Sequence, residues 1–230
     1  MSTEQSCLSF DMPGGRLDFR SGDLDGWAEH LTWCYRMLGL KDGATIAVQD
    51  FGSSPLSFLG SRLLMPWLGS GIAERMGGRF LCLDASAERI TLTPALLMQL
   101  SIDALVIRRD AVELLEGELL KKGLADLAHQ KMKTIVAVND DPYRMHPAAS
   151  KPGSRLLHIE NALILAPECA RCGCFHLREG VYETAGRQIH NLRLAVPPYE
   201  LRTGVIIPPS SCSAENRDRC VRFPSQARGV

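Results

Sequence analysis

No stretch of the 230-residue sequence reaches the roughly 18 to 20 consecutive apolar residues that a membrane helix needs. The start, Met1-Ser-Thr-Glu-Gln-Ser-Cys7, lacks a basic segment leading into an apolar one, so no secretory signal is read there and the expected location is the cytoplasm. Neither sign of charge is in excess, with 26 Lys plus Arg against 26 Asp plus Glu. Nothing in that balance suggests a global nucleic-acid or polybasic membrane footprint. Internal repeats, a Gly-x-Ser-x-Gly string and a dinucleotide-binding fingerprint are all missing, and no lysine follows Lys151. What is present is an ordinary soluble composition, 45% hydrophobic and 23% charged, in a chain long enough to bury a single core.

Hydrophobic spacing organises the first part of the chain. Leu24, Trp27, Ala28, Leu31, Cys34, Tyr35 and Leu38 recur at helical intervals, which predicts a helix over Ser21 to Leu38 with Ser21 as its cap and Gly39 as its stop. His30, beside Glu29, is expected on the solvated side. Further helices are predicted over Pro55 to Leu68, Thr93 to Leu100 and Ala111 to Lys122. Between them lie short apolar runs, Ala44 to Gln49, Phe80 to Leu83, Ala104 to Ile107 and Thr134 to Val138, that read as strands, the first of them buried. Strands alternating with helices imply parallel βαβ units, and Asp140-Asp141-Pro142 reads as a turn. After Pro147 the pattern becomes β-rich, with strand-like runs at Leu156–Ile159, Ala162–Leu165, Phe175–Arg178, Val181–Thr184 and Asn191–Val196. The expected organisation is an N-terminal segment over 1–20, an α/β domain over 21–147, a β-rich portion over 148–207 and a loose tail over 208–230.

The segment Cys169-Ala-Arg-Cys172-Gly-Cys174-Phe-His176 carries the densest local chemistry. Three thiols and an imidazole suit tetrahedral zinc. An extended chain from Cys172 to His176 would place Cys172, Cys174 and His176 on one face, with Cys169 folding back across a turn at Gly173. Ordinary thiols in a β-turn, and a thiol whose pKa is lowered by Arg171 and Arg178, are the competing readings. Structural zinc sites draw on two separated segments; Cys212 and Cys220 could supply the second, at a spacing that fits no known pattern.

Four strings, in order, resemble the phenylacetate–CoA ligase branch of the adenylate-forming acyl-CoA synthetases. They are Arg20-Ser-Gly-Asp-Leu-Asp-Gly-Trp27, Leu38-Gly-Leu-Lys-Asp-Gly-Ala-Thr-Ile46, Glu168-Cys169 with Phe175-His-Leu-Arg-Glu179, and Pro198-Tyr-Glu-Leu-Arg-Thr-Gly204. The resemblance implies an α/β fold, a layered parallel-sheet domain of the ligase N-terminal type with a smaller β-rich C-terminal portion. It also implies chemistry in which a carboxylate and ATP form an acyl-adenylate that is passed to coenzyme A.

Each ATP-handling motif of that family is altered. Where a phosphate loop of small residues is expected, Ser6 to Gly15 carries Asp11, Pro13 and bulky apolar side chains. Arg202, Thr203 and Gly204 match a nucleotide-binding string whose final Asp is here Val205, which cannot accept a ribose hydrogen bond. Glu160 is the nearest match to a magnesium-side carboxylate, against the reading of an exposed strand-end glutamate. Trp67 is a candidate pocket aromatic, against plain core packing. The family's C-terminal domain would need on the order of 100 residues beyond Gly204, and its lysine has no counterpart here.

The expectation is therefore a degenerate ligase-like protein, a pseudoenzyme that has lost ATP-dependent adenylation and serves as a binding or accessory subunit. Two alternatives stand beside it: a ligase component completed by a partner chain, and a small zinc-binding interaction protein. Coenzyme A or an acyl or aryl group is the expected ligand, ATP with magnesium is not expected, and a homodimer is compatible with a face left open by a missing partner domain.

Overall fold

The computed structural model describes residues 6–12, 15–20, 22–139, 153–194, 196–207 and 219–223. Strands β1 (Ser6–Met12) and β2 (Gly15–Arg20) form an antiparallel hairpin that leads into helix α1 (Asp23–Met37). β2 alternates cleanly, with Leu17 and Phe19 buried and Arg16, Asp18 and Arg20 exposed, so one face of the hairpin joins the core. α1 begins at Gly22 in a left-handed conformation, while Ser21 lies outside the described residues. Its end follows the predicted stop: Gly39 has φ +85°, its N–H bonds Arg36 O, and Leu40 N–H bonds Tyr35 O at 3.0 Å, which is a Schellman motif.

The chain then winds through β3 (Thr45–Gln49), α2 (Pro55–Phe58), α3 (Ile72–Met76), β4 (Arg79–Leu83), α4 (Ala87–Ile90), α5 (Thr93–Gln99), β5 (Ala104–Arg108), α6 (Arg109–Lys121), α7 (Ala125–Lys131) and β6 (Lys133–Val138). The helix predicted over Pro55 to Leu68 stops after one turn. The carbonyls of Leu59 and Gly60 bond Ile72 N and Ala73 N instead, and Phe80 packs where a Cβ at Gly60 would sit.

β7 (Arg155–Ile159) and β8 (Ile164–Pro167) complete a six-stranded sheet of order β4-β3-β5-β6-β7-β8. All neighbours are parallel except β8, which runs antiparallel to β7. Two strands expected in the β-rich portion thus belong to the large sheet, and the boundary expected at 147/148 does not separate them from it. β3, β5, β6 and β7 are apolar and buried along most of their length, as a sheet covered on both faces requires.

Two small antiparallel sheets follow. One joins β10 (Tyr182–Ala185), β11 (Gln188–Asn191) and β12 (Tyr199–Glu200). The other joins β13 (Val205–Ile207), β14 (Arg219–Arg222) and β9 (Phe175–Leu177), in the order β13-β14-β9. β14 corrects the expectation of a loose tail, since Cys220 and Val221 are buried in it. A second correction concerns His30, which is fully buried rather than solvated. Strands β8 and β10 cover that side of α1, and His30 Nε2 lies 2.9 Å from Leu165 O and 3.2 Å from Tyr182 Oη. Trp27 is buried beside it as expected.

Close backbone approach at the start of β4 gives a direct test. A Cβ on Gly78 would lie 2.1 Å from the carbonyl oxygen of Ala44, whereas one on Gly117 in α6 would meet nothing within 4 Å. Gly78→Ala is expected to destabilise the fold by about 3 kcal/mol and Gly117→Ala to stabilise it by about 0.5 to 1 kcal/mol, read from urea-unfolding midpoints. Equal effects from the two would contradict the packing around β4.

Candidate functional site

The parallel strands end on charge. Asp50 follows β3, Arg108 closes β5, and Glu160 follows β7 at the start of a 3-10 turn over Glu160–Ala162. Arg108 Nη1 lies 3.3 Å from Asp50 Oδ1 and 3.0 Å from Glu160 Oε1, and its Nε lies 3.0 Å from Asp110 Oδ1. The guanidinium also sits 5.0 Å from the ring centre of Phe51, which is exposed. Carboxyl ends of parallel strands are where open α/β sheets place ligands. The Arg108 guanidinium is thus shared among three carboxylates.

Burial sets the ionisation here. It raises the Asp50 carboxyl above the usual carboxylate range, against the Ser54 hydroxyl, the Phe51 N–H and Arg108. The hydrogen bond to Arg108 keeps Asp110 low. On β7, burial pushes the His158 imidazole from its ordinary 6.5 down to about 4, with Glu160 opposing and Arg108 adding to the shift.

The residues singled out from sequence fall as follows. Glu160 is partly covered and ion-paired, so the reading of a bare strand-end glutamate is corrected. Trp67 is 60% exposed between α2 and α3, and plain core packing is corrected there too. Arg202, Thr203 and Gly204 form the loop between β12 and β13, and Val205 begins β13 half exposed. Asp140-Asp141-Pro142 and Cys212 lie outside the described residues. Sequence reasoning missed Asp50 and Arg108. Their signal was available: each is the charge that directly ends a buried apolar strand.

The cysteine segment is a turn, not an extended strand. Cys169 N–H bonds Cys174 O at 2.8 Å, Gly173 N–H bonds Cys169 O at 2.9 Å, and Gly173 takes φ +66°, so β9 begins only at Phe175. This fold-back brings the ligand atoms of Cys169, Cys172 and His176 within 4.8 Å of one another. Cys174 is buried beside them, but its sulfur lies 3.5 Å from Arg222 Nε and its thiol faces the carbonyl of Cys172. Burial alone would push the Cys169 thiol up. The backbone N–H groups of Cys172 and Arg171, with the Cys172 and His176 side chains, pull it down to about 7. Arg178 is engaged elsewhere, 3.0 Å from Glu29 and over Trp33.

No family description and no curated protein matches the sequence. Among solved structures the chain is similar to 2-hydroxyisobutyryl-CoA ligase, captured in an open conformation with 2-HIB-AMP and CoA. The TM-score is 0.55 at 11% identity, over 97% of this chain and 57% of that one. The likeness is one of fold, and this chain spans a little over half the length of that acyl-CoA ligase. Among the described residues no helix is long and apolar enough to cross a membrane.

Two outcomes test the electrostatics of the sheet edge. Arg108→Met strands Asp50 without its cation and is expected to cost about 2 to 3 kcal/mol at neutral pH, discounted because the guanidinium is partly solvated. The deficit should shrink as pH falls and Asp50 takes a proton, and Asp50→Asn in the same chain should recover part of it in urea unfolding. The folded-state pKa of His158 is depressed, so the unfolded chain binds the extra proton between 6.5 and about 4. Stability from this group is complete above 6.5 and lost as pH falls through that window, by about 2 kcal/mol between pH 7 and pH 5. His158→Gln should flatten that part of the stability–pH curve; an unchanged slope would refute the assignment.

Proposed function

We propose that this chain is an acyl-CoA-ligase-like domain that does not carry out ATP-dependent adenylation and acts as a binding or accessory subunit for an acyl or aryl group or its coenzyme A thioester. The hairpin β1–β2 carries the reading. It occupies the stretch where the resemblance calls for a phosphate loop, directly before α1. A phosphate cradle needs several backbone N–H groups converging on one point. In the described residues 6–12 and 15–20 the ladder consumes alternate N–H groups, and the rest spread along two extended edges.

The charges of the hairpin agree. Ser9 and Asp18 face each other in register, Ser9 Oγ donates to Asp18, and Arg16 Nε lies 2.8 Å from the same carboxylate. Those hydrogen bonds, Ser9 first, hold the Asp18 carboxyl below its ordinary range, so it stays ionised where phosphate would approach. At the sheet edge, Arg108 is divided among Asp50, Asp110 and Glu160. Triphosphate would add charge of the sign already in excess.

The reading is tested by ATP–pyrophosphate exchange over a panel of aryl and fatty acids, beside calorimetry with magnesium-ATP. Exchange is expected to stay at background and nucleotide uptake to be undetectable. Coenzyme A or aryl-CoA thioesters are expected to raise the melting temperature. Exchange above background that disappears in Glu160→Ala would overturn the reading in favour of a working ligase component.

A further inference from the structure

The knuckle that gathers Cys169, Cys172 and His176 leaves a tetrahedral ion one ligand short. The structure offers two further thiols, Cys174 within the knuckle and Cys220 on β14, and they are not equivalent. In the antiparallel ladder between β14 and β9, Cys220 stands directly opposite His176. Directly opposed residues of such a pair share one face of the sheet with Cβ atoms about 4.5 to 5.5 Å apart. Cys220 is fully buried, and it packs in one cluster with Cys169 and Cys174, against which Cys172 and Ile207 also rest. Cys174 has a different place. Its carbonyl accepts the N–H of Cys169, and its sulfur is held at the Arg222 guanidinium.

We propose that Cys169, Cys172, His176 and Cys220 form a tetrahedral zinc site that fastens strand β14 to the knuckle ahead of β9. The donor set is three thiolates and one imidazole, the soft combination of structural zinc. Its ligands come from two segments far apart in the chain, as structural sites normally do. A tetrahedral zinc holds its ligand atoms about 3.5 to 3.8 Å from one another. The three atoms already within 4.8 Å need only a small contraction, and the Cys220 sulfur, which lies outside that group, closes the site by moving toward the imidazole it opposes. Three thiolates on a divalent ion carry one net negative charge, and Arg222, on the same strand as Cys220, supplies the neighbouring positive charge.

The fastening has a mechanical purpose. Strands β9, β13 and β14 are 3, 3 and 4 residues long, and a sheet that small has little apolar area of its own. A metal bond between the knuckle and β14 replaces packing that the strands cannot provide. The site stands apart from the proposed loss of nucleotide chemistry: a metallated chain that also exchanged pyrophosphate would overturn that reading and leave this one intact.

The test uses the full chain purified without added metal. Elemental analysis is expected to give one zinc per chain. The cobalt-substituted protein should show tetrahedral ligand-field bands with thiolate charge transfer, whose intensity falls by about one third in Cys220→Ser and is unchanged in Cys174→Ser. Chelation should speed amide hydrogen exchange in residues 219–223 while β3 and β5 stay protected, which separates loss of the fastening from global unfolding. Zinc near zero even after refolding with zinc, or intensity lost in Cys174→Ser and kept in Cys220→Ser, would overturn the assignment.

Discussion

A parallel sheet covered on both faces tolerates no charge along its strands, and most of what this protein can do follows from that constraint. Ile46, Ala47 and Val48 of β3, Ala104 to Ile107 of β5, and Ile135 and Val136 of β6 are buried with almost no solvent exposure. A carboxylate or guanidinium among them would lose its hydration with no partner in reach. Charge is therefore displaced to the strand ends, and the carboxyl ends of β3, β5 and β7 supply Asp50, Arg108 and Glu160. The same apolar run that makes each strand also delivers a charged side chain to the sheet edge.

What stands at that edge then decides which ligands it tolerates. Arg108 is spread over three carboxylates, and Asp50 is held so deep that burial raises its own pKa. A guanidinium so engaged is a structural strut, because freeing it for an incoming anion would strand a buried acid. Before α1, the hairpin ties its backbone donors into a ladder and turns Arg16 onto Asp18. Arg108 at the sheet edge and Arg16 on the hairpin are thus both engaged with carboxylates of the same chain.

The sequence was most legible where a single local rule governs. Strands β3, β5 and β6 follow from short apolar runs, and the end of α1 from Gly39, because burial on both faces and a left-handed turn leave few alternatives. It was least legible where tertiary contact overrode the local pattern. The helix after Pro55 stopped early because Leu59 and Gly60 pair with residues 72 and 73. His30 looked solvated beside Glu29, yet β8 and β10 arrive from far along the chain to bury it. At the sites, Cys169, Cys172 and His176 were readable from spacing, because all three lie in one turn. Cys220 was not, since only the register between β14 and β9 sets it opposite His176. Asp50 and Arg108 carried a readable signal that needed the strands to be ordered side by side first.

The β-rich portion obeys a different economy from the large sheet. Its strands are short, and beside the burial of Phe175, Leu177, Ile189 and Val221 in the core, polar clamps join distant segments. Tyr182 Oη takes the N–H of Leu165 and lies 3.2 Å from His30, fixing β10 to both β8 and α1. Arg155 pairs with the buried Glu168 and stacks over Phe175, fixing β7 to the start of the knuckle. In each clamp a buried polar group bonds a partner from a distant segment. β14 is the strand for which these two clamps make no provision: neither reaches it. It has polar ties of its own, Arg219 Nη1 donating to Thr184 O at 3.1 Å on β10 and Arg222 Nε donating to Cys174 Sγ at 3.5 Å, and the sulfurs packed around Cys220 with the imidazole opposite it could add another. A cluster of thiols buried together gains only weak hydrogen bonds from one another, whereas the same atoms around a divalent ion gain coordinate bonds.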